Sequence, residues 1–158
     1  MKNLFTLKEL SVLDIKKIIE EAIEFKKGKE FKGLEGKKVV NLFFENSTRT
    51  HYSFIAAEQN LGMKDTNFNA ATSSVKKGES LYDTVKTFES LGFDAMVIRH
   101  PQNNYFNQLD SINVPLMNGG DGTGNHPTQS LLDLMTIYEE FGTFNGIKCT
   151  IVGDIRHS

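Results

Sequence analysis

Phe43-Phe44-Glu45-Asn46-Ser47-Thr48-Arg49-Thr50 is the stretch on which the reading of this chain turns. The apolar run Val39 to Phe44 reads as a buried strand. It breaks into a short hydroxyl-and-arginine turn, after which Phe54, Ala57 and Leu61 recur on one face of a helix. Strand, polar turn and helix together aim backbone N–H groups and the positive end of a helix dipole at an anion. Ser47, Thr48 and Thr50 add hydroxyl donors, and Arg49 adds a planar fork suited to phosphate oxygens. A capped helix whose arginine pairs with a surface carboxylate would use the same residues, so the octapeptide alone leaves both readings open.

Upstream, Ser11-Val12-Leu13-Asp14 has the form of a capping box. Ile15, Ile18, Ile19, Ala22 and Ile23 follow at helical spacing, and Lys26-Lys27-Gly28 supplies a cationic last turn and a stop. Downstream, a weak strand signal covers Thr66 to Asn69, and Ala70 to Glu79 reads as an exposed loop. Ser80 caps a helix with Leu81, Val85, Phe88 and Leu91 inward. Asp94 to Ile98 is a buried-type strand ending in Arg99-His100-Pro101. A short helix near Tyr105 to Leu109 leads to a strand at Val114 to Met117, and Asn118 to Asn125 reads as a shaped glycine loop. His126-Pro127-Thr128-Gln129 opens a further helix, with Pro127 at its first position and Leu131, Leu134, Met135 and Tyr138 as its buried stripe. The last apolar run, Ile147 to Val152, reads as a strand with no crossover partner, the first strand of a second domain.

Alternation of strand and helix predicts an α/β fold: a three-layer parallel sheet with helices on both faces. The expected domains are 1–145, with 146–158 as the start of a truncated second domain. Ser47 to Thr50, Ser73 to Lys77, Arg99-His100 and Gly119 to Gln129 each follow the carboxyl end of an expected strand, the edge where open α/β sheets bind ligands.

With 158 residues and a formal net charge of −2, the chain shows no basic footprint for nucleic acid. No stretch resembles a signal peptide or a membrane span, so a cytoplasmic protein is the default. The single cysteine, Cys149, lies in an apolar run and is expected to be buried. His51, His100, His126 and His157 lack metal-ligand spacing, and no cofactor is expected. No Walker loop and no Gly-x-Gly-x-x-Gly fingerprint is present. Arg49, Arg99, several hydroxyls and two helix starts, with Lys77 as a further candidate, suit a small doubly charged phosphate compound bound without a metal. At a helix start beside arginines, His126 would stay neutral and donate to a carbonyl as negative charge builds there, with Gln129 facing the same point. Taken alone, these two positions read better as a cap at His126 and a solvated side chain at Gln129.

Together these motifs resemble the aspartate and ornithine carbamoyltransferase family, over essentially the whole chain. Phe43-x-Glu45-x-Ser47-Thr48-Arg49-Thr50 resembles its carbamoyl-phosphate signature, and His126-Pro127-Thr128-Gln129 its second motif. Ser73 through Glu79, Asp121 to Asn125 and Ser130 to Leu134 resemble the aspartate branch. The resemblance implies that Ser47, Thr48, Arg49 and Thr50 hold the phosphate of carbamoyl phosphate. It implies further that Arg49, Thr50, Arg99 and His126 surround the phosphate or the carbonyl oxygen, and that Gln129 holds the carbamoyl amide. Ser73 and Lys77 would come from the adjacent subunit of a homotrimer, and Glu45 would act in domain closure. By the same resemblance, 1–145 is the carbamoyl-phosphate-binding domain and 146–158 begins an aspartate-binding domain, so aspartate would bind only with the missing part and transfer by this chain alone would be slight. An ornithine carbamoyltransferase half and a non-catalytic assembly module of the same fold are the alternatives.

Overall fold

Four strands, β1 (Lys38–Phe43), β2 (Lys64–Asn69), β3 (Ala95–His100) and β4 (Leu116–Asp121), pair in parallel in the order β2-β1-β3-β4. The computed structural model describes residues 2–69 and 78–153. Helix α2 (Thr48–Asn60) joins β1 to β2, and α3 (Leu81–Ser90) precedes β3. Because β2 and β3 flank β1 on opposite sides, right-handed crossovers send these helices to opposite faces.

The side chains of β1 record that division through their alternation. Val40 and Leu42 join Met96, Ile98, Leu81 and Val85 in a buried cluster under α3, closed by Tyr105, Phe106, Leu109 and Ile112. Asn41 points to the opposite face, where it meets Glu58 of α2. Helices α1 (Val12–Lys26) and α4 (Pro127–Phe141) pack against each other and share a groove with α2. The expected α/β fold with a parallel sheet is what forms.

Local chemistry accounts for the helix starts. Ser11 and Asp14 complete the capping box of α1, with Asp14 N–H donating to Ser11 Oγ at 3.1 Å. Ser80 caps α3 through Asp83 N–H, also at 3.1 Å. Pro127 occupies the first turn of α4, and Gly142 ends that helix at φ +67°. At the sheet edge, Leu4 lies parallel to Met117: Leu4 N–H donates to Leu116 O at 2.9 Å, and Asn118 N–H donates to Leu4 O at 2.9 Å.

Five expectations fail here. Asn118 to Asp121 are not loop but the last four residues of β4, buried against β3. In α2 Phe54 is half-buried and Glu58 buried, and Leu61, just past its end, is half-buried, while Ala57 is exposed. Leu91 lies one residue past the end of α3 and is 60% exposed. Residues 147–153 form no strand, since none of the described strands pairs with them, and Cys149, Ile151 and Val152 are exposed rather than packed.

Candidate functional site

The strand order reverses between β1 and β3, so the chain leaves their adjacent carboxyl ends in different directions and opens a crevice there. Phe44 N–H donates to Arg99 O at 2.9 Å and pins the two ends together. Ser47 then starts α2 in extended backbone (φ −153°), without using its hydroxyl as a cap. That hydroxyl and the first N–H groups of the helix are therefore free to meet an anion.

His126 plays the equivalent part for α4, at φ −138° and with no side-chain cap. Its half-buried ring lies across from α2: Nε2 is 3.3 Å from Thr50 Oγ1, and Nδ1 is 3.4 Å from Thr128 Oγ1. Burial first, and the positive charge of Arg99 second, hold the imidazole below its ordinary pKa, against a smaller opposing pull from Asp121 and Asp133. The ring is thus kept neutral, with one nitrogen able to donate and the other to accept.

Arg99 extends from β3 on the side of the sheet that carries α2. Its Nη1 donates to Gly119 O at 3.0 Å, and its Nε lies 3.5 Å from Glu45 Oε2 in an ion pair. That Nε is buried and makes no hydrogen bond. Gly120, at φ +122°, allows the approach: a Cβ there would stand 2.5 Å from Arg99 Nη1 and 3.5 Å from His126 Cδ2.

These groups share one groove of about 950 Å³, walled by Ser47, Arg49, Thr50, Arg99, His126 and Gln129. Ile18, Ala22, Leu131 and Met135 continue it as an apolar slot between α1 and α4. Thr48 is exposed and not on the wall. Gln129 borders the groove, but its Nε2 donates to Asp133 Oδ1 at 3.0 Å, along the helix. Ser73 and Lys77 lie outside the described residues. Among the described residues, no group of three or more His, Cys, Asp or Glu is arranged to hold a metal ion.

Sequence reasoning missed the groups that support this wall. Asp121 is fully buried and takes N–H bonds from Asn104 (2.7 Å) and from Asn125, folding the turn that delivers His126. Asn118 bonds both Gly120 N–H and Asn125 O. The one available signal was the clustering of Asn and Asp among glycines, which also marks ordinary turns.

Comparison with known proteins adds a second line of evidence. Residues 2–139 match the family described as aspartate/ornithine carbamoyltransferase, carbamoyl-P binding domain. The aspartate carbamoyltransferase catalytic subunit of Staphylococcus carnosus (strain TM300) is 56% identical over 158 residues, all of this chain and 52% of that protein. Aspartate transcarbamoylase from Trypanosoma cruzi in complex with carbamoyl phosphate superposes with a TM-score of 0.83 at 38% identity, covering 92% of this chain and 47% of that one. The catalytic subunit of M. jannaschii aspartate transcarbamoylase gives 0.82 at 38% identity, covering 93% and 50%. The chain spans about half the length of the curated relative and of these structures.

Proposed function

We propose that this chain, which belongs to the aspartate/ornithine carbamoyltransferase family, binds carbamoyl phosphate in the groove between the starts of α2 and α4. The observation that carries the reading is the meeting of Thr50, Arg99 and His126, from three segments, beside an uncapped helix start. Support comes also from the Trypanosoma cruzi relative in complex with carbamoyl phosphate and from its complex with aspartate and phosphate.

The phosphate would take the α2 N–H groups, that of Thr48 among them, the hydroxyls of Ser47 and Thr50, and the Arg49 fork. The carbonyl oxygen would lie toward Thr50, Arg99 and His126, and Gln129 would release Asp133 to hold the carbamoyl amide. When an amine attacks the carbamoyl carbon, a C–N bond forms and charge builds on that oxygen. The bond from carbon to the bridging phosphate oxygen then breaks, phosphate leaves, and the amine gives up a proton. Neutral His126 and cationic Arg99 stabilise the developing oxyanion, a contribution whose loss typically costs ~10²–10³ in rate for one donor.

The acceptor is proposed as L-aspartate, giving N-carbamoyl-L-aspartate for pyrimidine biosynthesis, on the 56% identity to an aspartate carbamoyltransferase catalytic subunit. Ligand binding is assigned to these residues, and transfer to the whole protein. A cytoplasmic homotrimer with Ser73 and Lys77 completing a neighbour's site, and Glu45 acting in closure, remains part of the proposal and rests on the sequence resemblance. Titration calorimetry tests the central reading. Carbamoyl phosphate and inorganic phosphate should each release heat on binding one site, and Arg99→Ala should abolish it. A folded sample giving no heat with either ligand would overturn the assignment.

A further inference from the structure

Asn118 is fully buried in β4, and its amide uses both ends. Oδ1 accepts from Gly120 N–H at 2.8 Å and from the Tyr105 hydroxyl at 3.3 Å. Nδ2 donates to Phe5 O at 3.0 Å and to Asn125 O at 3.3 Å. Two of those partners flank the site. The Gly119–Gly120 peptide is the surface on which Arg99 lies, since Gly119 O takes Nη1 at 3.0 Å and Gly120 lacks the Cβ that would displace it. The Asn125 carbonyl belongs to the peptide from which His126 begins. One side chain therefore ties the segment under the guanidinium to the segment that launches the imidazole.

We propose that Asn118 is a positioning residue that sets the separation of Arg99 from His126. The amide carries a donor and an acceptor on one planar group, so Asn118 holds a backbone N–H and a backbone carbonyl at once from this buried place. An aliphatic residue would leave the Gly120 N–H unpaired and the Asn125 carbonyl with only the Asp121 N–H at 3.1 Å, and aspartate would set a carboxylate against the Asn125 carbonyl. The proposal rests on the reading that Arg99 and His126 grip carbamoyl phosphate. Its consequence for the spacing of the two residues is nevertheless measurable without ligand.

The test compares Asn118→Thr with Tyr105→Phe. Both lose a buried hydrogen bond, but the second leaves the bonds to Gly120 and Asn125 intact. The His126 ring is followed by NMR through a pH titration in each, and carbamoyl phosphate is titrated by calorimetry. In Asn118→Thr, His126 should titrate at higher pH than in wild type, because Arg99 no longer stands beside it, and affinity should fall ~10-fold or more. Tyr105→Phe should lower thermal stability while changing neither readout. Combined with Arg99→Gln, Asn118→Thr should add little further change to the His126 titration. An unmoved His126 in folded Asn118→Thr, or an equal shift in Tyr105→Phe, overturns the proposal. If Asn118→Thr does not fold, the wild-type Asn118 side-chain amide is observed instead: its resonances should move on adding carbamoyl phosphate, and unmoved resonances with ligand bound overturn the proposal. Absence of binding in wild type together with the expected His126 shift would count against the ligand assignment alone.

Discussion

Thr50 Oγ1 and His126 Nε2 lie 3.3 Å apart, joining the helix that follows β1 to the helix that follows β4 across 76 positions of sequence. A hydroxyl and a neutral imidazole in contact form a small donor–acceptor pair whose direction a ligand can set. Neither partner has a strong hydrogen bond that must first be broken, as the 3.3 Å and 3.4 Å spacings around the ring show.

Protonating His126 should cost stability. Its folded pKa lies below the ordinary value, so the unfolded chain binds more protons as pH falls through about 6.5, and stability drops over that range and below. His100, which burial also shifts downward, adds a loss of the same sign. Urea unfolding of wild type and His126→Gln between pH 5 and pH 8 checks this (~3 units around the ordinary value). The variant should show the shallower loss at the acid end, and identical slopes would contradict it.

Glu58 should act in the opposite sense. Burial, the leading cause, raises its pKa, against the bond from Asn41 Nδ2 at 2.8 Å. Its Oε1 and the Asn41 Oδ1 are buried without a partner. Stability from this group is full below its unfolded value of about 4.3 and falls as pH rises through the higher folded value. Glu58→Gln should therefore match or exceed wild type in urea midpoint at pH 7, and lose that advantage at pH 4 (about ordinary carboxylate values).

Gly120→Ala should damage binding by more than its effect on folding explains. The new Cβ meets the end of a flexible arginine, which can swing away, while the backbone pays for a non-glycine residue at φ +122°. A stability loss of ~1–3 kcal/mol is expected from the backbone. Displacing Arg99 should weaken carbamoyl phosphate by a further ~10-fold, read by calorimetry at a temperature where the variant is folded.

Arg99→Lys should behave as a loss rather than a conservative change. The guanidinium spans Gly119 O and Glu45 at once, and an ammonium is a single point charge. Affinity for carbamoyl phosphate should fall by ~1.5–3 kcal/mol, the worth of a hydrogen bond to a charged group, with the melting temperature nearly unchanged.

Those features that depend on neighbours in sequence were legible there. The strand into Phe44, the Ser11–Asp14 box and the Pro127 helix start each follow from local chemistry. What failed depended on contacts from far away. Gly119 and Gly120 looked like loop because glycine weakens strands, yet here both sit in β4, and at Gly120 the Arg99 guanidinium passes where a side chain would be. The burial of Glu58 was not legible, because nothing local reveals that Asn41 faces it from the sheet. Cys149 to Val152 looked like a buried strand because hydropathy cannot supply the neighbouring strand that would bury it. For the site, the sequence named groove residues through their motifs, and strand topology explains why they meet. The roles of Ser73 and Lys77 rest on a segment outside the described residues.

The pairing of Leu4 with β4 makes the segment ahead of α1 a working part of the site's foundation. Asn118 donates its backbone N–H to Leu4 O and its side-chain Nδ2 to Phe5 O, so Leu4 and Phe5 brace the amide that spans Arg99 and His126. Trimming them for crystallisation, or tethering a bulky fusion partner flush against Lys2, is therefore an operation on ligand affinity.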